Sequence, residues 1–173
     1  MRLLPNRRVV TILLLLLLSS SALAQRAVFV VRHAEKASDA NEPPVPLSAA
    51  GSERARRLAS LLRDAGVSAI YSTDTVRTRE TAEPLAKLLR LETRLYSATG
   101  SDGKVDLAPL GRRLASENST DVVLVVGHSN TIAPLLSALG AKETIEVGGA
   151  DYDNLFLLIP RPSGPPLLLR MHY

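Results

Sequence analysis

The chain has 173 residues, of which 46% are hydrophobic and 22% charged, a composition typical of one globular domain. Lys and Arg total 21 against 17 for Asp and Glu, and aromatic residues make up 3%. The absence of cysteine excludes disulfides, thiolate metal sites and a cysteine nucleophile.

The first 24 residues are predicted to form a signal peptide. They contain three arginines near the start, an apolar run from Val9 to Leu18 and a small-residue cleavage signal that ends at Ala24. The run is shorter than the roughly 20 apolar residues that a membrane-spanning helix needs. We therefore expect export to the periplasm or the cell exterior, with no membrane span once the leader is removed. The alternative is a retained N-terminal membrane anchor.

Residues 25–173 are predicted to form a single domain with little net charge. Removal of the leader removes three arginines and no acid, so the formal charge falls from +4 to 4 − 3 = +1. A nearly neutral domain with so few aromatic side chains is not expected to bind nucleic acid.

Apolar runs alternate with amphipathic segments along this domain, a pattern typical of an α/β fold. Three of the apolar runs, Ala27 to Val31, Val67 to Tyr71 and Val122 to Val126, lack polar alternation, as in strands that are buried on both faces. We expect strands at these three runs, a later strand at Asn154 to Ile159 and an edge strand at Leu167 to Met171. We expect helices at about 48–65, 75–89, 107–117 and 131–139. The second helix should bury Leu85, Leu88 and Leu89. The fold class is therefore predicted as a mostly parallel central sheet with helices on both faces.

Three segments with cationic or histidine side chains follow predicted strands. Arg32 and His33 follow the first strand, His128 follows the strand that ends at Val126, and Arg77 lies at the start of the second helix. Ligands of open α/β sheets bind at the carboxyl ends of the strands. The helix that starts after Ser129 would also offer free N–H groups to an anion, so Ser129 is a candidate phosphate-binding residue.

Two arginines and two histidines at one sheet edge suit a tetrahedral phosphate. Guanidinium groups bind phosphate oxygens bidentately and stabilise the charge of a phosphoryl transition state. A neutral histidine can attack phosphorus if a carbonyl group holds its other ring nitrogen. This chemistry requires no metal or other cofactor.

These residues resemble three motifs of the histidine phosphatase superfamily, the phosphoglycerate-mutase-like phosphatases. Arg32-His33-Ala34 resembles the family's Arg-His-Gly, and Gly127-His128-Ser129 matches its Gly-His-Ser motif. The segment from Tyr71 to Ala82 is similar to the family's second-arginine motif, Tyr-Ser-Ser-Asp-x-x-Arg-x-x-x-Thr-Ala. The resemblance extends over about Ala27 to Leu139.

The resemblance implies a three-layer sandwich and a metal-independent phosphomonoester hydrolase. His33 would be the nucleophile that becomes phosphorylated, and Arg32, Arg77 and His128 would bind the phosphoryl oxygens. Arg79 competes for the place of the second arginine, but the motif spacing favours Arg77. The expected partner is a small or extended phosphomonoester.

The chain departs from the family pattern at two points. Ala34 replaces the glycine that follows the histidine, which we expect to require only a small local adjustment. The family's general acid has no clear counterpart, so Glu35, Asp102 and Asp106 are left as candidates. Without an acid, the alternative function is a weak or inactive phosphate-binding protein of the same fold. A metallohydrolase that uses both histidines fits less well, because no closely spaced ligand pair is present.

Overall fold

The computed structural model describes residues 27–38, 44–117 and 121–173. The predicted signal peptide, residues 1–24, lies outside the described residues. The strands are β1 Ala27–Arg32, β2 Val67–Thr73, β3 Thr93–Tyr96, β4 Val122–Gly127, β5 Asn154–Ile159 and β6 Leu167–His172. The helices are α1 Ala49–Leu62, α2 Val76–Leu89, α3 Ala108–Glu117 and α4 Ser129–Ala138. Within these described ranges, every helix is too short or too polar to cross a membrane.

The six strands form one mixed sheet in the order β3-β2-β4-β1-β5-β6. The pairs β3–β2, β2–β4 and β4–β1 are parallel, whereas β1–β5 and β5–β6 are antiparallel. The prediction of a mostly parallel sheet is therefore wrong, although its α/β class is confirmed.

The path of the chain after α4 explains the antiparallel half. Parallel neighbours need a crossover that returns the chain to the opposite edge of the sheet. Residues 139–153 instead bring the chain back to the carboxyl edge of β1, where Gly148 and Gly149 contact Arg32. From this edge β5 can only run antiparallel to β1. The short loop 160–166 then makes β5 and β6 a hairpin, which is antiparallel by construction.

Helices cover both faces of the sheet, as predicted. One buried cluster joins α1 and α2 to alternate residues of β1, such as Phe29 and Val31. The other joins α3 and α4 to Val28 and Val30. This alternation makes β1 the buried centre of three layers, so its carboxyl end lies in the middle of the sheet edge.

Helix α1 is held close to the loop that follows β1. The Ser48 side chain caps the helix by accepting a hydrogen bond of 3.0 Å from the backbone N–H of Gly51. Gly51 contacts the Glu35 carbonyl so closely that a Cβ at this position would collide with it. The glycine thus allows the helix to support the backbone two residues after His33.

Candidate active site

His33 follows β1 and is held in an orientation that frees one ring nitrogen. Its side chain is buried, with 4% of the residue exposed, and its Nδ1 lies 2.8 Å from the Ala34 carbonyl oxygen. A carbonyl oxygen can only accept a hydrogen bond, so Nδ1 carries the proton of the neutral ring. The lone pair is then on Nε2, the atom that a nucleophile at this position would use.

The surroundings of His33 keep its ring neutral. Burial is the main cause that lowers the pKa of His33 from 6.5 to about 4, and the neighbouring His128, Arg32 and Arg77 contribute to this shift in the same direction. The hydrogen bond to Ala34 opposes this shift. At neutral pH the Nε2 lone pair is therefore available in nearly every molecule.

His128 lies at the N-terminus of α4, with its ring centroid 5.3 Å from that of His33. Its Nδ1 lies 3.4 Å from an Nη atom of Arg77, and its Nε2 lies 2.9 Å from Thr73 Oγ1. A guanidinium only donates, so Nδ1 accepts and the neutral ring carries its proton on Nε2. Burial and the two arginines lower the pKa of His128 to about 4. The positive charge of the site thus comes from the arginines.

Arg77 lies in the first turn of α2, where the helix dipole disfavours a cation. Its backbone carbonyl accepts a hydrogen bond of 2.7 Å from the Thr81 hydroxyl, which in turn accepts one of 3.0 Å from the Ala34 backbone N–H. The threonine therefore ties the arginine segment to the loop that contains His33. Arg79 points elsewhere, because it pairs with Asp74 at 3.2 Å on the surface. The structure brings Arg77 rather than Arg79 against the histidines.

Arg32 is held by the loop between α4 and β5. Its Nη1 donates to the carbonyl oxygens of Gly148 and Gly149 at 3.0 and 2.9 Å, and its guanidinium lies 4.0 Å from the centroid of the Tyr152 ring. Its Nε is buried and lacks a hydrogen-bond partner in the described part of the chain. A buried, unsatisfied donor beside His33 suits an anionic ligand.

The candidate general acids lie away from this cluster or are engaged elsewhere. Glu35 forms an ion pair of 2.7 Å with Arg54; although partial burial opposes the effect, Arg54 lowers the pKa of the Glu35 carboxyl. Asp102 and Asp106 each accept a hydrogen bond of 3.0 Å from the backbone N–H two residues later, as turn residues do.

Ser129 is the first residue of α4, as its predicted role at a helix start requires.

An open cleft adjoins the cluster at His128. It has a volume of about 530 Å³ and extends across the carboxyl ends of β4, β2 and β3. Asp74, Leu95 and Val105 are among its lining residues. A phosphate held at the cluster could therefore place the rest of a substrate in this cleft.

Sequence reasoning did not identify the roles of Tyr152 and Asp74. Tyr152 contacts both Arg32 and His33, whose ring centroid lies 5.9 Å from its own. A Gly-Gly pair shortly before an aromatic residue and a strand was the available signal for this loop. Asp74 directly follows β2, a position that the strand-end rule marks for any polar residue.

The described residues, 27–38, 44–117 and 121–173, contain no group of three histidine or acidic side chains placed to hold a metal ion. The cluster is instead cationic, which opposes binding of a metal cation and favours an anion.

Comparison with known proteins agrees with this geometry. The fold is similar to that of the protein histidine phosphatase SixA, solved with tungstate, at 21% identity and a TM-score of 0.68, covering 84% of this chain and 96% of that one. A mycobacterial glucosyl-3-phosphoglycerate phosphatase is similar at 19% identity and a TM-score of 0.62, covering 78% and 90%. A phosphoserine phosphatase from Entamoeba histolytica is similar at 16% identity and a TM-score of 0.61, covering 86% and 97%.

These likenesses show the fold, and no curated protein sequence matches the chain. The sequence model of the histidine phosphatase superfamily, branch 1, matches residues 28–98, a segment that includes Arg32, His33 and Arg77. Residues 28–98 are therefore similar to the histidine phosphatase superfamily, as the motifs predicted, and this similarity supports the predicted phosphatase class.

Proposed function

We propose that the chain is a metal-independent phosphomonoester hydrolase that acts through a phosphohistidine intermediate on His33. The observation that carries this proposal is the Nδ1 hydrogen bond from His33 to the Ala34 carbonyl. It fixes the tautomer that leaves Nε2 unprotonated, within a cluster that contains Arg32 and Arg77. A buried neutral imidazole beside two arginines is suited to attack a phosphoryl group.

The first step transfers the phosphoryl group to His33. Nε2 donates its lone pair to phosphorus, the P–N bond forms, and the P–O bond to the leaving group breaks. Arg32 and Arg77 offer N–H groups to the phosphoryl oxygens, on which negative charge is concentrated in the transition state. His128 lies beside Arg77 and completes the cluster around this group.

The second step hydrolyses the phosphohistidine. Water attacks phosphorus, the P–N bond breaks, and its electron pair returns to Nε2. Inorganic phosphate is released and His33 regains its neutral form. The attacking water loses one proton, and the departing alkoxide or phenolate takes one up. Apart from the ionisation of the products, one turnover therefore neither consumes nor releases a proton.

The carboxylate candidates limit which leaving groups can depart. Arg54 holds Glu35 as an ion pair, and the carboxylates of Asp102 and Asp106 cap turns. An alkoxide needs a proton as it leaves, whereas a phenolate departs with less assistance. We therefore propose that substrates with stabilised leaving groups are hydrolysed fastest.

The same engagement of the carboxylates favours a second candidate, a phosphate-binding protein with little or no turnover. Such a protein would keep the anion site of Arg32 and Arg77 and would lack only the proton transfer. Turnover and binding must therefore be measured on the same preparation.

The test is phosphate release from phenyl phosphate and alkyl phosphates in EDTA by the purified chain, its His33→Ala variant and a His172→Ala control. His172 is an exposed histidine of β6, so its loss should leave activity unchanged. Activity that survives EDTA and His172→Ala but disappears in His33→Ala would support the hydrolase. Stabilisation by vanadate without phosphate release would favour the binding protein, and full activity of a folded His33→Ala variant would contradict the mechanism.

We also propose that residues 1–24 are a cleaved signal peptide and that residues 25–173 form the exported single domain. N-terminal sequencing of the protein from the cell exterior or periplasm should find Gln25 first. Recovery of the intact chain in the membrane fraction would support the anchor instead.

A further inference from the structure

The cleft beside His128 differs in charge from the cluster that it adjoins. The cluster contains Arg32 and Arg77, whereas no lysine or arginine is among the described residues that line the cleft. The charged lining residue is Asp74, a carboxylate whose side chain is 67% exposed and which pairs with Arg79 at 3.2 Å. An anionic group in this cleft would therefore meet a carboxylate, whose charge Arg79 offsets in part, and no cation among the lining residues.

The far end of the cleft, at β3 and the loop after it, presents apolar surface. Leu95 is 45% exposed and Val105 is 41% exposed, although both are large hydrophobic residues. Tyr96 lies between them in the chain, and its hydroxyl donates a hydrogen bond of 3.2 Å to the Val126 carbonyl. Apolar surface inside a concave site is available for burial by a ligand.

We propose that the leaving group of the substrate lies in this cleft, is uncharged and has an apolar face that contacts Leu95 and Val105. This inference rests on the proposed phosphomonoesterase activity and adds the substrate class. A second phosphate or a carboxylate on the leaving group would lose hydration and gain no cationic partner, and it would be repelled by Asp74. The site thus selects phosphomonoesters with one anionic group over those with two.

The test compares two aryl phosphates that differ only in charge. In 4-(carboxymethyl)phenyl phosphate and its carboxamide, a methylene separates the variable group from the ring, so the two leaving phenols have similar acidity. We expect kcat/KM to be about tenfold higher for the carboxamide, because solvent and Arg79 weaken the repulsion by the exposed Asp74 to little more than that of two charges in water. Raising the salt concentration should narrow this difference.

Two matched variants locate the discrimination in the cleft. Val105→Lys places a cation there and should raise kcat/KM for the carboxylate substrate about fivefold relative to the carboxamide. Leu169→Lys is the control, because Leu169 is also 41% exposed but lies on β6, at the opposite end of the sheet from β3. It should leave the ratio of the two substrates unchanged.

The proposal is supported if the wild-type chain has the higher kcat/KM for the carboxamide, and if Val105→Lys reduces this preference while Leu169→Lys does not. Equal hydrolysis of both substrates by the wild-type chain would overturn it while leaving the phosphatase intact. Failure to release phosphate from phenyl phosphate as well would instead remove the proposed activity, and the substrate class with it.

Discussion

Acidification should destabilise the native chain through the buried His33. The pKa of His33 falls from 6.5 to about 4 on folding, so between these values the unfolded chain binds a proton that the native chain does not. Stability is therefore fully present above pH 6.5 and is lost as the pH falls toward about 4. At 1.36 kcal/mol per pKa unit the full shift corresponds to about 3 kcal/mol, of which about 2 kcal/mol is lost between pH 7 and about pH 4.5.

Urea unfolding at these two pH values measures the effect. On acidification from pH 7 to about pH 4.5, the unfolding free energy should decrease by about 2 kcal/mol less in His33→Gln than in the wild-type chain. The variant has no imidazole to protonate at this position. His172→Gln is the control, because its exposed side chain undergoes little desolvation and its removal should leave the pH dependence unchanged. Equal pH dependence in His33→Gln and wild type would refute the conclusion that His33 is held neutral by burial. NMR titration of the three histidines would then show which ring titrates normally.

Three further variants test the site. Arg77→Ala should lower kcat/KM about a hundredfold or more, because a donor to the phosphoryl group is lost, whereas Arg79→Ala should change it less than about threefold; equal losses would contradict the assignment of Arg77. Tyr152→Ala should raise the Kd for vanadate about tenfold, because the ring that packs on Arg32 at 4.0 Å is lost. Calorimetry should show normal affinity in Tyr152→Phe, and a loss there would assign the role to the hydroxyl. Gly127→Ala should destabilise the fold by about 1–3 kcal/mol in thermal unfolding, because its Cβ would lie 2.7 Å from the Thr131 hydroxyl oxygen and 3.0 Å from that of Tyr96.

The strands with apolar sequences were predictable, and the short strand β3 was not. Mainly apolar runs identified β1, β2 and β4 to within two residues. β3 has only four residues, of which Thr93 and Arg94 are polar, so it has no apolar run to recognise. The predicted inward position of Leu88 is wrong, because it is 49% exposed on α2 while Leu85 of the same helix is fully buried. The helical spacing of the leucines did not show how narrow the buried stripe of α2 is.

The direction of β5 was not predictable from its own residues. The hydrophobic pattern of a six-residue apolar strand does not indicate its direction in the sheet. Its antiparallel pairing depends on the path of residues 139–153, which lack regular structure. Sequence patterns identify strands by burial, and burial is the same for parallel and antiparallel neighbours in the middle of a sheet.

The motif residues of the site came together as the sequence predicted, because each follows the carboxyl end of a strand or starts a helix there. Arg32, His33, Arg77 and His128 all meet at one edge. The residues that fix them could not be predicted in the same way. Gly148 and Gly149 act through backbone carbonyls, which any residue possesses, so the Gly-Gly pair marks the loop but not its contact with Arg32.

The central position of β1 has a consequence for the order in which the protein assembles. Ala27 pairs with Val122, 95 residues later, and Val31 pairs with Leu155, 124 residues later. Contacts between such distant segments form slowly, because a long loop must close before they give any stabilisation. His33 therefore acquires its buried environment only when β4 and β5 have both docked beside β1. A growing chain on the ribosome has no assembled anion site until nearly all of the sheet has emerged, and recovery of phosphate binding during refolding marks closure of the sheet.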